Sequence, residues 1–165
     1  MIATARWNAQ QGGYSNVEFR LGEIEHLPVA DSSVDVVISN CVINLVPDKR
    51  RAFAEAYRVL RPGGRLYVSD IVLEDELPAE LRDNAAAYVN CVAGAVRRDE
   101  YLNAVRSAGF QQIEVVSERD AAALLSACGC APGEQEESSC CGGGQIELPT
   151  GLVTSLTFRA CKPAP

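Results

Sequence analysis

The sequence predicts an α/β fold built around a parallel sheet, and three stretches carry that prediction. Val34-Asp35-Val36-Val37-Ile38-Ser39 is a short β-branched run of the kind that is buried on both faces of a parallel sheet. A helical stretch follows it, with Phe53, Tyr57 and Leu60 on one face. Leu66 to Val72 is a second apolar run. Strand, helix and strand joined by short links form a βαβ unit, whose crossover is right-handed.

The other elements follow from local chemistry. Residues 2 to 11 are rich in Ala and Gln and read as a helix stopped by Gly12-Gly13. Val17-Glu18-Phe19-Arg20-Leu21 alternates apolar and polar, the pattern of a strand. Pro28 and Asp31-Ser32-Ser33 mark loop and turn. Asp48 is placed to cap the helix that runs to about Leu60. Arg61-Pro62-Gly63-Gly64 reads as a turn. Pro78 to Tyr88 reads as a helix with Pro in its first turn. Asp99 is a cap for a further helix, with Leu102 and Val105 inward and Gly109 at its end. Gln112 to Ser117 and Thr154 to Cys161 are strand candidates. Residues 128 to 144 are rich in Gly, Ser, Glu and Cys, lack core-forming side chains, and are expected to form a mobile insertion.

Composition narrows the function classes. The chain has 165 residues, enough for one domain with its own core. A net charge of -7 is poorly suited to phosphate backbones, so nucleic acid is not an expected partner. No apolar run approaches the roughly 18 residues of a membrane span, and the first residues do not resemble a signal peptide. The expected location is cytoplasmic. In a reducing compartment the seven cysteines are expected to be thiols, and an odd number cannot pair completely.

Three motifs carry a resemblance. Gly22-Glu23-Ile24-Glu25-His26-Leu27-Pro28 with Asp31-Ser32-Ser33-Val34-Asp35-Val36-Val37 is similar to the adenine-loop segment and fourth strand of class I methyltransferases. Arg58-Val59-Leu60-Arg61-Pro62-Gly63-Gly64-Arg65-Leu66 resembles the helix-turn-strand of the same family. Ser39-Asn40-Cys41-Val42-Ile43-Asn44-Leu45, together with Tyr88-Val89-Asn90-Cys91-Val92-Ala93-Gly94-Ala95, resembles arsenite methyltransferases, whose arsenic-binding cysteines occupy these two places. The first of these cysteines ends a strand, where open α/β sheets bind their ligands. The implied fold is a Rossmann-like class I methyltransferase sheet that lacks its first βαβ portion with the Gly-rich loop, followed by a C-terminal α+β extension. No Gly-x-Gly-x-x-Gly stands between a strand and a helix.

The implied activity is methyl transfer from S-adenosyl-L-methionine to trivalent arsenic, as arsenite or its thiol conjugates, with a thiol reductant as partner. Trivalent arsenic is soft and suits thiolate ligands. Its lone pair attacks the methyl group directly, so positioning rather than a general base carries the step. The resemblance assigns Cys41 and Cys91 to arsenic, Glu23 to the adenine amino group, Ile24 to a backbone contact on the ring, and Glu25 and Asn40 to the cofactor's surroundings. Two buried structural thiols are the bland alternative for Cys41 and Cys91. Cys140 and Cys141, with Cys128 and Cys130, are candidates for capturing arsenic in the insertion. Their spacing is not that of a zinc site. His26 is expected on the surface. Asp70 is expected to serve a local turn or cap, or else to face the cofactor side.

The expected organisation is a partial methyltransferase core over 1–75, an arsenic-binding and completing region over 76–127 and 145–165, and the insertion over 128–144. Two other readings stay open: a non-catalytic As(III)-binding fragment and a generic small-molecule methyltransferase. A sheet without its first strands also leaves an exposed edge through which the chain is expected to self-associate.

Overall fold

Asp48 accepts a hydrogen bond from the Arg51 amide at 3.0 Å and so starts the helix where the sequence places it. The computed structural model describes residues 1–76, 94–121 and 150–164. Within them the elements are α1 (Ile2–Gln11), β1 (Val34–Asn40), a 3-10 turn (Ile43–Leu45), α2 (Lys49–Val59), β2 (Leu60–Leu73), α3 (Arg98–Ser107), β3 (Gln111–Asp120) and β4 (Val153–Cys161). The expected helix over 78–88 and the insertion over 128–144 lie outside the described residues.

The four strands form one mixed sheet in the order β1-β2-β4-β3. β1 and β2 are parallel, with α2 between them in the chain, so the expected βαβ unit is present. β4 inserts antiparallel between β2 and β3. Along β2 the side chains of Leu66, Val68 and Val72 are buried, as are Leu156, Phe158 and Ala160 of the facing β4. These join Phe53 and Ala56 of α2 and Tyr101, Leu102 and Val105 of α3 in one core. Tyr101 meets Phe53 and Phe158 edge to face, with centroids 5.4 and 6.2 Å apart.

Several expectations need correction. Val17–Leu21 is not a strand. It joins no ladder, and Leu21 is 79% exposed. Alternation alone does not make a strand without a partner to take its hydrogen bonds. β1 is not buried on both faces. It pairs with β2 alone among the described residues, and Ile38 is 77% exposed. The Arg61–Gly64 turn lies inside β2 as an irregularity. Val34 and Val36 of β1 pair with Leu60 and Arg65, so extra residues bow out of the ladder. Gly63, at φ +78°, fits this excursion, and its amide donates to Lys162 O at 2.9 Å. Asp99 is not the cap of α3. Arg97 holds that position, and Asp99 lies in the first turn, where a carboxylate favours the helix dipole.

No helix among the described residues is long and apolar enough to cross a membrane.

Candidate functional site

The site grows from the C-terminal end of β1. Asn40 pairs in register with Ser69 of β2, and the next amide, that of Cys41, donates to Ser69 O at 2.9 Å. Cys41 has φ +52°, a left-handed conformation that L side chains rarely adopt. It ends the strand abruptly and sends the chain into the 3-10 turn Ile43–Leu45. Asn40 is exposed and Cys41 is half-buried. The structure thus places both at the carboxyl edge of the parallel pair, where the sequence puts them.

Behind Cys41 lies a buried polar cluster that the sequence reading did not assemble. Asp70, one residue beyond Ser69 on β2, is buried. Its carboxylate accepts from the Tyr101 hydroxyl at 2.9 Å, from the Ile71 amide at 3.0 Å and from the Asn44 backbone amide. Burial pushes the Asp70 carboxyl up, and these donors with nearby Lys49 pull it partly back. Burial also holds the Tyr101 hydroxyl well above the usual tyrosine range, reinforced by the negative charges of Asp70 and Cys41. Asp70 therefore faces inward and ties the turn, which is the local role the sequence allowed it.

Asn44 is the second member. It is 1% exposed, and its Nδ2 donates to Ile71 O at 2.6 Å. Its Oδ1 is buried with no hydrogen-bond partner among the described residues. Lys49 Nζ lies 3.5 Å from both Asn44 O and Val46 O, and burial lowers its pKa against the pull of Asp70 and Glu100. Gly94 packs on the same turn. A Cβ added there would stand 2.1 Å from Asn44 O, so only glycine fits. One sequence signal for Asn44 existed, a lone polar residue inside Val42-Ile43-Asn44-Leu45-Val46.

The adenine-loop residues fold against α2. Glu23 bridges to His26, and the His26 amide donates to Glu23 O at 3.0 Å. Glu25 Oε1 accepts from the Asp48 amide at 2.9 Å, so this carboxylate is engaged with the start of α2. Glu55 Oε2 accepts from the Leu27 amide at 2.8 Å, and Arg58 donates to Leu27 O, Val29 O and Asp31. The Arg58 guanidinium holds the Glu55 carboxyl below the usual range. His26 is exposed, as expected, and contacts Arg51.

Glu23 and Ile24 line a cavity of about 520 Å³ with Arg20, Leu27 and Val34. Its described lining does not include Asn40 or Cys41. It reaches Val34, at the opposite end of β1, while Glu25 holds the loop beside α2's first turn. A carboxylate above apolar walls suits a purine, so the residues present fit the adenine end of a nucleoside cofactor. They do not supply the rest. The described positive-φ glycines, Gly13, Gly63, Gly109 and Gly151, do not link a strand to a following helix, the arrangement that cradles a cofactor's polar end.

Cys91, Cys128, Cys130, Cys140 and Cys141 lie outside the described residues. Among the described residues no three His, Cys, Asp or Glu side chains gather as a metal cluster.

Comparison with known proteins gives these residues a context. The chain is 47% identical over 126 residues to an arsenite methyltransferase of Halobacterium salinarum, covering 76% of this chain and 32% of that protein. It is 46% identical over 99 residues to the human arsenite methyltransferase, covering 58% of this chain and 26% of that protein. The crystal structure of an arsenic (III) S-adenosylmethionine methyltransferase from Chlamydomonas reinhardtii superposes with a TM-score of 0.67 at 33% identity, over 95% of this chain and 48% of that one. The match thus spans about a quarter to a third of the length of these curated relatives. The parallel β1-α2-β2 unit, with its strand-end turn, falls within residues 1–109, which match the methyltransferase-domain family. On that match, supported by the class I methyltransferase architecture of the sheet, the chain belongs to the methyltransferase-domain family.

Proposed function

We propose that this chain carries the arsenic-binding part of an S-adenosylmethionine-dependent arsenite methyltransferase, and that Cys41 and Cys91 together hold the trivalent arsenic. The observation that carries this is the meeting of the Cys41 turn with Gly94. Cys41 stands three residues before Asn44, and Gly94 packs directly on the Asn44 carbonyl. Cys91 stands three residues before Gly94, and three residues of chain reach at most about 11 Å. On this reading the two thiols meet at the carboxyl edge of the parallel pair. The names of the relatives point to the same substrate.

When bound, S-adenosylmethionine supplies an electrophilic methyl group on a sulfonium. The chain's own residues do the rest. Cys41 and Cys91 thiolates orient arsenic and leave its lone pair open. Glu23 and Ile24 take the adenine end, as acceptor and ring contact. Glu25 keeps that loop on α2 through Asp48, and Asn40 closes the strand end beside Cys41. Cys140 and Cys141 pass arsenic inward from the insertion. A thiol reductant keeps the cysteines and the arsenic in their reduced states.

Incubation of the chain with arsenite, S-adenosylmethionine and a thiol reductant tests the reading through methylarsenical production. Product that disappears in Cys41→Ser and in Cys91→Ser supports it. Methylation unchanged in both variants rejects it. Arsenite bound without any product assigns this chain the binding step alone.

A further inference from the structure

Of the 15 lysines and arginines in the chain, only Lys49 and Lys162 are lysines. Their amines are held very differently. Lys162 Nζ donates to Tyr57 O at 2.8 Å and to Leu60 O at 2.7 Å, and it lies 4.6 Å from the centre of the Tyr57 ring. It closes the C-terminal end of α2, where a cation favours the helix dipole. Lys49 Nζ has two long contacts, each 3.5 Å, to Asn44 O and Val46 O. Among the described residues it forms no ion pair.

The charge on Lys49 is also poorly placed. Lys49 is the first residue of α2, and Arg50 and Arg51 follow it, so three cations stand at the positive end of the helix dipole. No acidic residue lies in that first turn, and Asp48 and Glu25 at the cap answer only part of the charge. Lys49 is half-buried, and burial disfavours its ammonium form against the pull of Asp70 and Glu100. Beside it, between the starts of α2 and α3, lies a cavity of about 170 Å³. Pro47, Val96 and Ala104 give this cavity an apolar wall, and Lys49 and Glu100 share its lining. An apolar wall next to a loosely held amine suits a short acyl chain.

We infer that Lys49 is an acyl-acceptor site, which takes a short acyl group from a thioester into this cavity, and that its acylation loosens the turn that follows Cys41. The neutral amine attacks the thioester carbonyl. An N–C bond forms, the C–S bond breaks, and the leaving thiolate takes the proton from the amine. The amide that results is uncharged. The α2 start then carries two cations in place of three, and the pull on the Asn44 and Val46 carbonyls weakens. Those carbonyls belong to the Ile43–Leu45 turn and its cap, so one hold on that turn is lost. None of this requires a particular ligand at Cys41.

The test uses the full chain, kept reduced, with acetyl-coenzyme A as donor. Hydroxylamine strips acyl groups from cysteine, and peptide mapping by mass spectrometry then compares Lys49 with Lys162 in the same sample. Freeing the Lys162 amine breaks two short charge-assisted bonds, so Lys49 is expected to be acetylated faster by about tenfold or more. Equal rates, or faster acetylation of Lys162, overturn the acceptor assignment. A second measurement follows alkylation of Cys41 by iodoacetamide in the unsubstituted chain, in Lys49→Arg and in Lys49→Gln. Glutamine, uncharged like the acylated lysine, is expected to raise the rate about threefold, the scale of one net hydrogen bond, and arginine to leave it near the original value. An unchanged rate in Lys49→Gln, or the same rise in Lys49→Arg, overturns the link to the turn. Should Lys49→Gln unfold, the acetylated chain decides. Residues 21–48 contain no lysine or arginine, so one tryptic peptide reports both Cys41 alkylation and Lys49 acetylation.

Discussion

The Tyr101 hydroxyl donates to Asp70 Oδ2 across 2.9 Å, and both groups are buried between α3 and β2. The bond joins the helix layer to the strand that backs the Cys41 turn. Tyr101→Phe keeps the ring packing against Phe53 and Phe158 and removes this donor alone. Leaving a buried carboxylate short of one partner costs about 1–3 kcal/mol. Urea unfolding should show that loss with an unchanged m value.

Asp70→Asn changes the pH dependence of stability. Burial raises the folded-state pKa of Asp70 above its unfolded value. The folded chain therefore binds this proton more tightly than the unfolded chain. Its contribution to stability is fully present below the unfolded pKa and is lost as pH rises through the folded pKa. Asparagine keeps an acceptor and has no such titration. Unfolding free energies measured from pH 3 to 7 should show the unsubstituted chain losing ground to Asp70→Asn as pH rises, over a window that begins at the ordinary aspartate range of about 3.9. A difference constant with pH would contradict the assignment.

Arg58 fastens the adenine-loop segment to α2 through Leu27 O, Val29 O and Asp31 while paired with Glu55. Arg58→Ala should release residues 22–31 and weaken S-adenosylhomocysteine binding by roughly three- to tenfold, the scale of re-ordering one or two side chains. Arg58→Lys should not restore it, because an ammonium cannot reproduce the guanidinium fork. Glu23→Ala should weaken the same binding directly. Calorimetric titration reads all three.

β1 presents an unpaired edge among the described residues, and Ile38 is 77% exposed beside it. Such an edge templates strand pairing. The isolated chain is expected to self-associate through it, and Ile38→Lys to shift light scattering toward the monomer. A monodisperse unsubstituted monomer would remove this expectation.

The parts of the fold legible in the sequence were those set by short-range periodicity. β1, α2 and β2 follow from apolar runs, from Asp48 as cap and from the helical spacing of buried positions. Val17–Leu21 was misread because its alternation is local, whereas a ladder needs a second strand. The two-sided burial expected of Val34–Ser39 failed for the same reason: its composition fits a central strand, but its exposure depends on which strands lie beside it. At the site, Cys41 was legible through its motif and its place at a strand end. Asn44 and Tyr101 were not, because their partners lie 27 and 31 residues away in the chain. The bond from the Asp48 amide to Glu25, 23 residues apart, was equally out of reach of local pattern.

Arsenic X-ray absorption on the chain loaded with one equivalent of As(III) tests the central assignment most directly, because it counts sulfur neighbours. The expected result is about two or three As–S bonds, with one bond lost in Cys41→Ser and one in Cys91→Ser. A sulfur count unchanged in both variants would contradict the account.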